Sequence, residues 1–109
     1  MTVISASRRR APRFIMGFKD AQKKAIEYLQ NGTYLAEDRV NQGDKNKLAT
    51  GEISASQVVQ LLLACRGTGY EEREHDSYRT IMVHIFRVND WYVKPYFLDP
   101  SCYIISVHQ

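Results

Sequence analysis

The last third of the chain, from Ser77 to Gln109, contains three segments in which apolar and polar residues alternate. The segments read SYRTIMVHIFRV, WYVKPYFL and CYIISVHQ, and short turns at residues 89–90 and 99–101 separate them. Alternation is typical of β-strands, because successive side chains point to opposite faces of a sheet. Short turns make consecutive strands antiparallel neighbours. The sequence therefore predicts a three-stranded antiparallel meander.

The first strand of this meander is apolar on both sides. Ile81, Val83 and Ile85 lie on one side, and His84 and Phe86 lie on the other. Helices packed on the isoleucine side would leave His84 on the open face of the sheet.

Pro95 in the second strand and the alternation in the third strand indicate how these two strands lie in the sheet. Pro95 has no backbone N–H to donate, so its strand lies at an edge of the sheet or is bulged there. In the third strand, alternation puts Ile104 and His108 on one side and Val107 on the other.

Two helices precede the meander. Residues 18–30 place Ala21, Ala25 and Leu29 on one helical face, and Gly32 can end that helix in a left-handed conformation.

Residues 54–66 are apolar nearly all round, and Ser54 with Gln57 forms the capping-box pattern that begins a helix. Between the two helices, we expect a short helix near 35–41 and a further helical turn near 44–49.

Helices followed by strands predict an α+β fold, with N-terminal helices packed on a C-terminal antiparallel sheet of three or four strands in two layers. The charged residues 71–76 read as a hairpin or a loop. One domain is expected to span residues 18–109, and residues 1–17 form a basic arm or a short strand.

Composition narrows the class of protein. A chain of 109 residues that is 44% hydrophobic can bury one core. No apolar run approaches the ~20 residues of a membrane helix, and residues 1–17 lack the apolar region of a signal peptide. We therefore expect a cytoplasmic protein with no membrane contact.

The two cysteines, Cys65 and Cys102, fit as two buried thiols. The alternative is a disulfide or metal pair, although no metal-ligand spacing is present and no cofactor is expected.

Positive charge is concentrated at the beginning of the chain. Residues 1–34 hold seven Lys or Arg against two acids, whereas the whole chain has a net charge of +3. This imbalance favours a polyanion or an acidic partner, and a solvated tail is the plain alternative. The candidate nucleic-acid-binding residues are Arg8, Arg9, Arg10 and Arg13.

Six short motifs after Thr50 follow the spacing of a known family. They are Gly51 ahead of an apolar helix, Gly69-Tyr70, Thr80-Ile81, Ile85-Phe86-Arg87, Tyr92-Val93-Lys94 and Ile104-Ile105-Ser106-Val107. With them, the chain resembles the MqsR toxins (the motility quorum-sensing regulator family), which share the RelE-like ribonuclease fold. The resemblance implies a toxin of a toxin–antitoxin pair. Such a toxin cleaves mRNA without a metal, on or off the ribosome, and a cognate antitoxin protein silences it.

The resemblance also implies site residues. The family's tyrosine falls on Tyr92, and a lysine of its C-terminal strand falls on His108. Two positions differ in chemistry, because a lysine falls on Glu71 and a glutamine falls near Val83. Either the chemistry has been rebuilt on histidines, or the chain is an inactive RelE-like module that binds nucleic acid or a partner protein. A weaker alternative is an effector nuclease.

Metal-free RNA cleavage needs a base for the 2′-hydroxyl, an acid for the 5′-oxygen and positive charge on the phosphate. Histidine suits the proton transfers. His108 is the leading candidate, followed by His84 and His75. The plain alternatives are a frayed terminal residue for His108, a core or exposed strand residue for His84, and a solvated loop residue for His75.

Three further residues complete the predicted catalytic set. Arg87 can hold a phosphate by two hydrogen bonds, or it pairs with Asp90 or Glu71. Tyr92 and Lys94 share one side of the second strand, where they can stack a base and hold a phosphate. The alternatives are a core aromatic and an edge-strand lysine that opposes aggregation.

Overall fold

The computed structural model describes residues 16–37 and 46–109. The four arginines of the predicted basic arm lie outside these ranges, as does the part of the predicted short helix beyond residue 37.

The described residues form three α-helices, one 3₁₀ turn and five strands. The helices are α1 (Phe18–Asn31), α2 (Lys47–Thr50) and α3 (Ala55–Ala64), and the 3₁₀ turn is Gly67–Gly69. The strands are β1 (Tyr34–Ala36), β2 (Tyr70–Glu74), β3 (Met82–Val88), β4 (Trp91–Leu98) and β5 (Ser101–His108). Among these residues, no helix is long and apolar enough to cross a membrane.

Both predicted helices form, but α3 ends at Ala64, two residues earlier than predicted. In α1, Ala21 and Ala25 are buried, and Gly32 ends the helix with a φ of 75°. That left-handed conformation costs glycine little, because it has no Cβ. In α3, the Ser54 side chain accepts from the backbone N–H of Gln57, while the Gln57 side chain accepts from that of Ser54. The predicted capping box is therefore confirmed.

The five strands form one sheet in the order β1-β5-β4-β3-β2, in which only the β1–β5 pair is parallel. The α+β class is confirmed, but the predicted number of strands was wrong. Residues 70–74 form a strand because they pair with β3 along their whole length. A short helix was expected near 35–41, but residues 34–36 form a strand that adds to the edge that β5 leaves free. Three residues are too few for a periodic pattern to show.

The helices cover one face of the sheet, which we call the covered face. Phe86 and Val93 pack there in one cluster with Ala25, Val58 and Leu62 of the helices. The buried residues of this cluster are each at most 8% exposed, and such burial supplies most of the driving force for folding.

The opposite side of the sheet is the open face. It carries Glu71, Arg73, Val83, Ile85, Arg87, Tyr92, Lys94, Tyr96, Tyr103, Ser106 and His108, as the strand registers require. Val83 and Ile85 are nonetheless at most 1% exposed, because the long side chains of the neighbouring strands flank them.

His84 lies on the covered face, because the condition for its exposure, helices packed on the isoleucine side, is not met; of the alternatives, the core histidine is the one that forms. The helices cover the side of Phe86, whose ring lies 5.2 Å from that of Tyr70 and 6.5 Å from that of Phe18. Both sides of β3 are apolar, and alternation therefore did not reveal which side the helices would take.

A bulge in β5 changes the side on which its last residues lie. Pro95 is opposite Ile104, but Lys94 is opposite Ser106, so Ile105 is an extra residue. This bulge confirms one of the two expectations for Pro95, whereas the edge position was wrong, because β4 lies between β3 and β5.

The extra residue reverses the predicted alternation at the end of β5. Val107 is opposite Val93 and joins the core, so it shares the covered face with Ile104. His108 is opposite Tyr92 and lies on the open face. The prediction that Ile104 and His108 share a side was therefore wrong, because simple alternation cannot register a bulge.

The side chain of Asn46 holds this bulge. Asn46 is 6% exposed, and its amide nitrogen donates to the carbonyls of Ile104 at 2.8 Å and Ile105 at 3.3 Å. It also donates to the carbonyl of Glu37 at 2.8 Å, just beyond β1. Its amide oxygen accepts from the N–H of Ala49 at 3.2 Å and caps α2. One buried amide thus ties the bulge, the end of β1 and a helix together.

The two cysteines, Cys65 and Cys102, are free and buried, as predicted. Burial raises the pKa of the Cys102 thiol to about 12.

We expect Asn46→Ala to lower the free energy of unfolding by about 3 kcal/mol, because it removes a helix cap and the hydrogen bonds of the amide to the carbonyls of Glu37, Ile104 and Ile105. Ser54→Ala is the matched control, since it removes only a cap and should cost about 1 kcal/mol. Urea denaturation of both variants provides the comparison. Equal losses in the two variants would contradict the role assigned to Asn46.

Candidate functional site

Three of the predicted site residues lie side by side across three strands of the open face. Arg87 on β3 is opposite Tyr92 on β4, which is opposite His108 on β5. The guanidinium carbon of Arg87 lies 5.5 Å from the centroid of the Tyr92 ring. The Tyr92 and His108 rings are stacked, with centroids 5.0 Å apart and planes inclined by 27°. We call this arrangement the Arg87–Tyr92–His108 row.

Two local features of the backbone build the row. The turn between β3 and β4 contains Asn89 with a φ of 54°, a conformation that asparagine tolerates better than most residues. This tight turn sets Arg87 opposite Tyr92. The β5 bulge then sets His108 opposite Tyr92 on the same face.

The contact of His108 with its neighbour favours one tautomer. Its Nδ1 lies 3.2 Å from the carbonyl oxygen of Gln109. A carbonyl can only accept, so in the neutral imidazole Nδ1 carries the proton and Nε2 has a free lone pair. The ring is half-buried, which leaves it accessible from the open face. His108 is thus arranged to accept a proton at Nε2.

Lys94 adds positive charge next to the row. It lies two residues from Tyr92 on β4, on the same face and opposite Ser106. Within the described ranges 16–37 and 46–109, no carboxylate lies within salt-bridge distance of Lys94. Its ammonium group is therefore available to an anion.

Glu71 is the carboxylate of this part of the face. Its Oε1 lies 3.0 Å from Nη1 of Arg87, and its Oε2 lies 2.8 Å from Nη2 of Arg73. Hydrogen bonds from Arg73, and then from Arg87, lower the pKa of the Glu71 carboxyl. Of the two ion pairs considered for Arg87, the structure forms the one with Glu71.

Arg73 was not predicted as a site residue. It stands in the charged segment that was interpreted as a hairpin or a loop. If that segment had been interpreted as a strand that follows Tyr70, alternation would have put Glu71 and Arg73 on one side. The sequence could then have indicated Arg73.

A cleft of about 250 Å³ adjoins the row at Arg87, and Arg66, Thr68 and Asn89 also line it. The chain approaches itself closely there, because a Cβ on Gly69 would collide with the carbonyl oxygen of Arg87. The cleft carries two arginines, so it can accept an anionic extension of a ligand bound at the row.

His84 is buried beneath the sheet and takes no part in the row. It is 3% exposed, its Nδ1 lies 2.7 Å from the hydroxyl of Tyr70, and its ring packs 4.8 Å from that of Phe97. Burial lowers its pKa to about 4. The neutral imidazole on the covered face is separated from the row by the sheet itself.

His75 lies at the far end of the open face, about 20 Å from Arg87, since six residues of β3 separate their positions. It is 7% exposed. Its Nδ1 accepts from the N–H groups of Ser77 at 3.0 Å and Tyr78 at 3.3 Å, and its ring meets that of Tyr96 edge-on at 5.1 Å. These contacts stabilise the turn between β2 and β3.

The part of the chain that the structure describes contains no group of three or more His, Cys, Asp or Glu side chains that could hold a metal ion. Comparison of the chain with protein-family models, curated proteins and solved structures gave no match. The functional interpretation therefore rests on the geometry of the open face.

The stability of the fold should depend on pH through His84. Its pKa is about 4 in the folded chain, against 6.5 for an unperturbed histidine, so between these values the unfolded chain binds the proton more strongly. The stability that depends on a neutral His84 is complete above about pH 6.5 and is lost as the pH falls towards 4. By about pH 4.5, the loss should be about 2 to 3 kcal/mol.

Urea denaturation of the wild type and of His84→Phe, at pH 7.5 and 4.5, measures this term. The pH-dependent loss should be smaller in the variant by that amount. The same loss in both proteins would show that His84 does not cause it.

Proposed function

We propose that the chain is an MqsR-like toxin with a RelE-like scaffold that cleaves mRNA in the cytoplasm as a metal-independent endoribonuclease. The Arg87–Tyr92–His108 row is the observation that carries this proposal. In it, a guanidinium, an aromatic ring and an imidazole lie within two strand spacings on the open face.

The architecture supports an RNA ligand at this face. The helices bury the covered face, whereas the open face carries Arg73, Arg87 and Lys94 around Glu71. A second carboxylate, that of Glu37, lies farther along this face, where it accepts from the hydroxyl of Tyr96 at 3.3 Å. A positive surface with aromatic side chains holds single-stranded RNA by contacts to phosphates and by base stacking. Tyr103, whose ring stacks on that of the buried Tyr96 at 5.2 Å, extends the aromatic surface.

In the proposed reaction, Nε2 of His108 takes the proton from the 2′-hydroxyl. The 2′-oxygen then attacks the adjacent phosphorus atom, and the bond from phosphorus to the 5′-oxygen breaks. The ammonium group of Lys94 gives its proton to the departing 5′-oxygen. The products are a 2′,3′-cyclic phosphate and a free 5′-hydroxyl, and exchange with water restores both side chains.

Arg87 stabilises the negative charge that develops on the phosphorane, because a guanidinium can hold two phosphate oxygens at once. Tyr92 keeps the Arg87 and His108 side chains in place, since both pack on its ring. The remaining predicted histidines take other roles: His84 is buried in the core, and His75 holds a turn.

The same surface suggests the partners. The substrate is mRNA, free or on the ribosome, and a cognate antitoxin protein would silence the toxin by covering the open face. Arg8, Arg9, Arg10 and Arg13 would add salt-dependent contacts to RNA.

The ion pairs of Glu71 favour the second candidate function, a module that binds nucleic acid or a partner protein without cutting. A carboxylate that occupies Arg87 lowers the positive charge that would act on a phosphorane. The two functions differ in one outcome, because the binding module leaves bound RNA intact.

Incubation of the purified chain with a long mRNA in EDTA, with and without ribosomes, tests cleavage. His108→Ala should lower the rate by about 100-fold or more, because it removes the general base. Arg87→Ala should lower it by about 10-fold to 100-fold, through the loss of charge on the phosphate.

Arg79→Ala is the matched control for the arginine variant, since Arg79 is exposed and lies in the turn between β2 and β3. It should retain the wild-type rate. Full activity of His108→Ala would contradict the proposed mechanism. Intact RNA under both conditions would reject the nuclease in favour of the binding module.

A further inference from the structure

Two arginines of the open face converge on one carboxylate. Arg73 donates to Oε2 of Glu71 from Nη2 at 2.8 Å and from Nε at 3.2 Å. Arg87 donates to Oε1 of the same carboxylate from Nη1 at 3.0 Å. The three side chains are 50%, 47% and 39% exposed, in the order Arg73, Arg87 and Glu71. A ligand from solvent can therefore reach all three.

The carboxylate stands where a phosphodiester would fit. Both groups present two anionic oxygens on one central atom, and a guanidinium binds either of them by parallel hydrogen bonds. The guanidinium of Arg87 also lies over the Tyr92 ring at 5.5 Å. The point of convergence is thus next to the Arg87–Tyr92–His108 row, along the path that an RNA backbone would follow.

The fold does not depend on these ion pairs. Exposed salt bridges contribute little to stability, because water solvates the separated charges well. Glu71 can therefore separate from the two arginines at a small cost in free energy when another anion binds to them.

We propose that Arg73 and Arg87 form a phosphate subsite for a phosphodiester of RNA, and that Glu71 occupies this subsite in the free protein as an internal substitute for the phosphate. The proposal rests on the proposed function for its ligand, since it takes RNA to be what binds at the open face. RNA then binds by displacing Glu71, and the carboxylate limits the affinity of the site.

Binding of a fluorescent 2′-O-methyl RNA oligonucleotide, measured by fluorescence anisotropy, tests this subsite. The blocked 2′-oxygen prevents cleavage, so only binding is observed. Glu71→Gln should lower the Kd roughly tenfold, a size typical of coupling between two ligands of one site. Glu71→Ala, which clears the subsite without a new amide, should do the same.

Glu52→Gln is the matched control. Glu52 pairs with Lys47 at 3.2 Å and is 54% exposed, so its loss changes the net charge and breaks a surface ion pair in the same way. Its Kd should stay within about twofold of the wild-type value, since exposed charges at a distance are screened. An equal effect of the two glutamine variants would overturn the proposal, as would weaker binding by Glu71→Gln.

A double-mutant cycle with Arg73→Ala separates displacement of Glu71 from general repulsion. Arg73→Ala alone should weaken binding, and the gain from Glu71→Gln should become smaller in its presence, because Glu71 then blocks Arg87 alone. A gain of unchanged size without Arg73 would overturn the subsite, and so would a failure of every variant to bind the oligonucleotide.

This experiment is independent of the cleavage assay. If His108→Ala cuts RNA at the full rate but the Glu71 variants bind more tightly, the mechanism fails and the subsite stands. If cleavage depends on His108 but Glu71→Gln binds like Glu52→Gln, the nuclease stands and the subsite fails.

Discussion

The hydrogen bonds of the Asn46 amide determine which residues share the open face. Asn46 donates to the carbonyls of Ile104 and Ile105 and so holds the extra residue in β5. Without that extra residue, Val107 would lie opposite Tyr92, and His108 would turn towards the helices. The same amide caps α2 and reaches the end of β1. The proposed site therefore depends on a buried polar group beside β5, where Asn46 forms a bridge with Val107, as well as on the side chains that form the site.

The two faces of the sheet give histidine two different chemistries. His84, beneath the helices, is kept neutral by burial, which lowers its pKa to about 4. His108 lies on the open face, and its contact with the carbonyl of Gln109 favours the tautomer with a free lone pair at Nε2. The two residues lie on strands separated by β4 alone. What separates their roles is the face on which each lies, which a pattern of residue types does not specify.

Much of the fold was predictable from local signals. The capping box at Ser54, the glycine that ends α1 and the two turns of the meander all depend on residues near in sequence, and these predictions are confirmed. The strand at residues 70–74 was missed, because its five residues are mostly charged and it forms only through pairing with β3. The parallel strand at residues 34–36 was missed because three residues carry no period.

The site was predictable only in part. The sequence singled out Arg87, Tyr92, Lys94 and His108, and the structure brings them to one face. The sequence did not indicate that Arg73 and Asn46 matter to the site, nor where His84 and His75 lie. These features depend on which side of β3 the helices cover and on a one-residue register shift. Both are set by contacts between residues distant in sequence.

The most direct measurement is an NMR titration of the isotope-labelled chain with a 2′-O-methyl RNA oligonucleotide, in which backbone and aromatic ring signals are followed together. The central claim is that RNA binds on the open face, at the row that the β5 bulge creates. It predicts that the largest shifts fall on Arg87, Tyr92 and His108, whereas the ring of His84 and the outer surfaces of α1 and α3 change little. Shifts concentrated on the helices, with the Tyr92 and His108 rings unaffected, would contradict it.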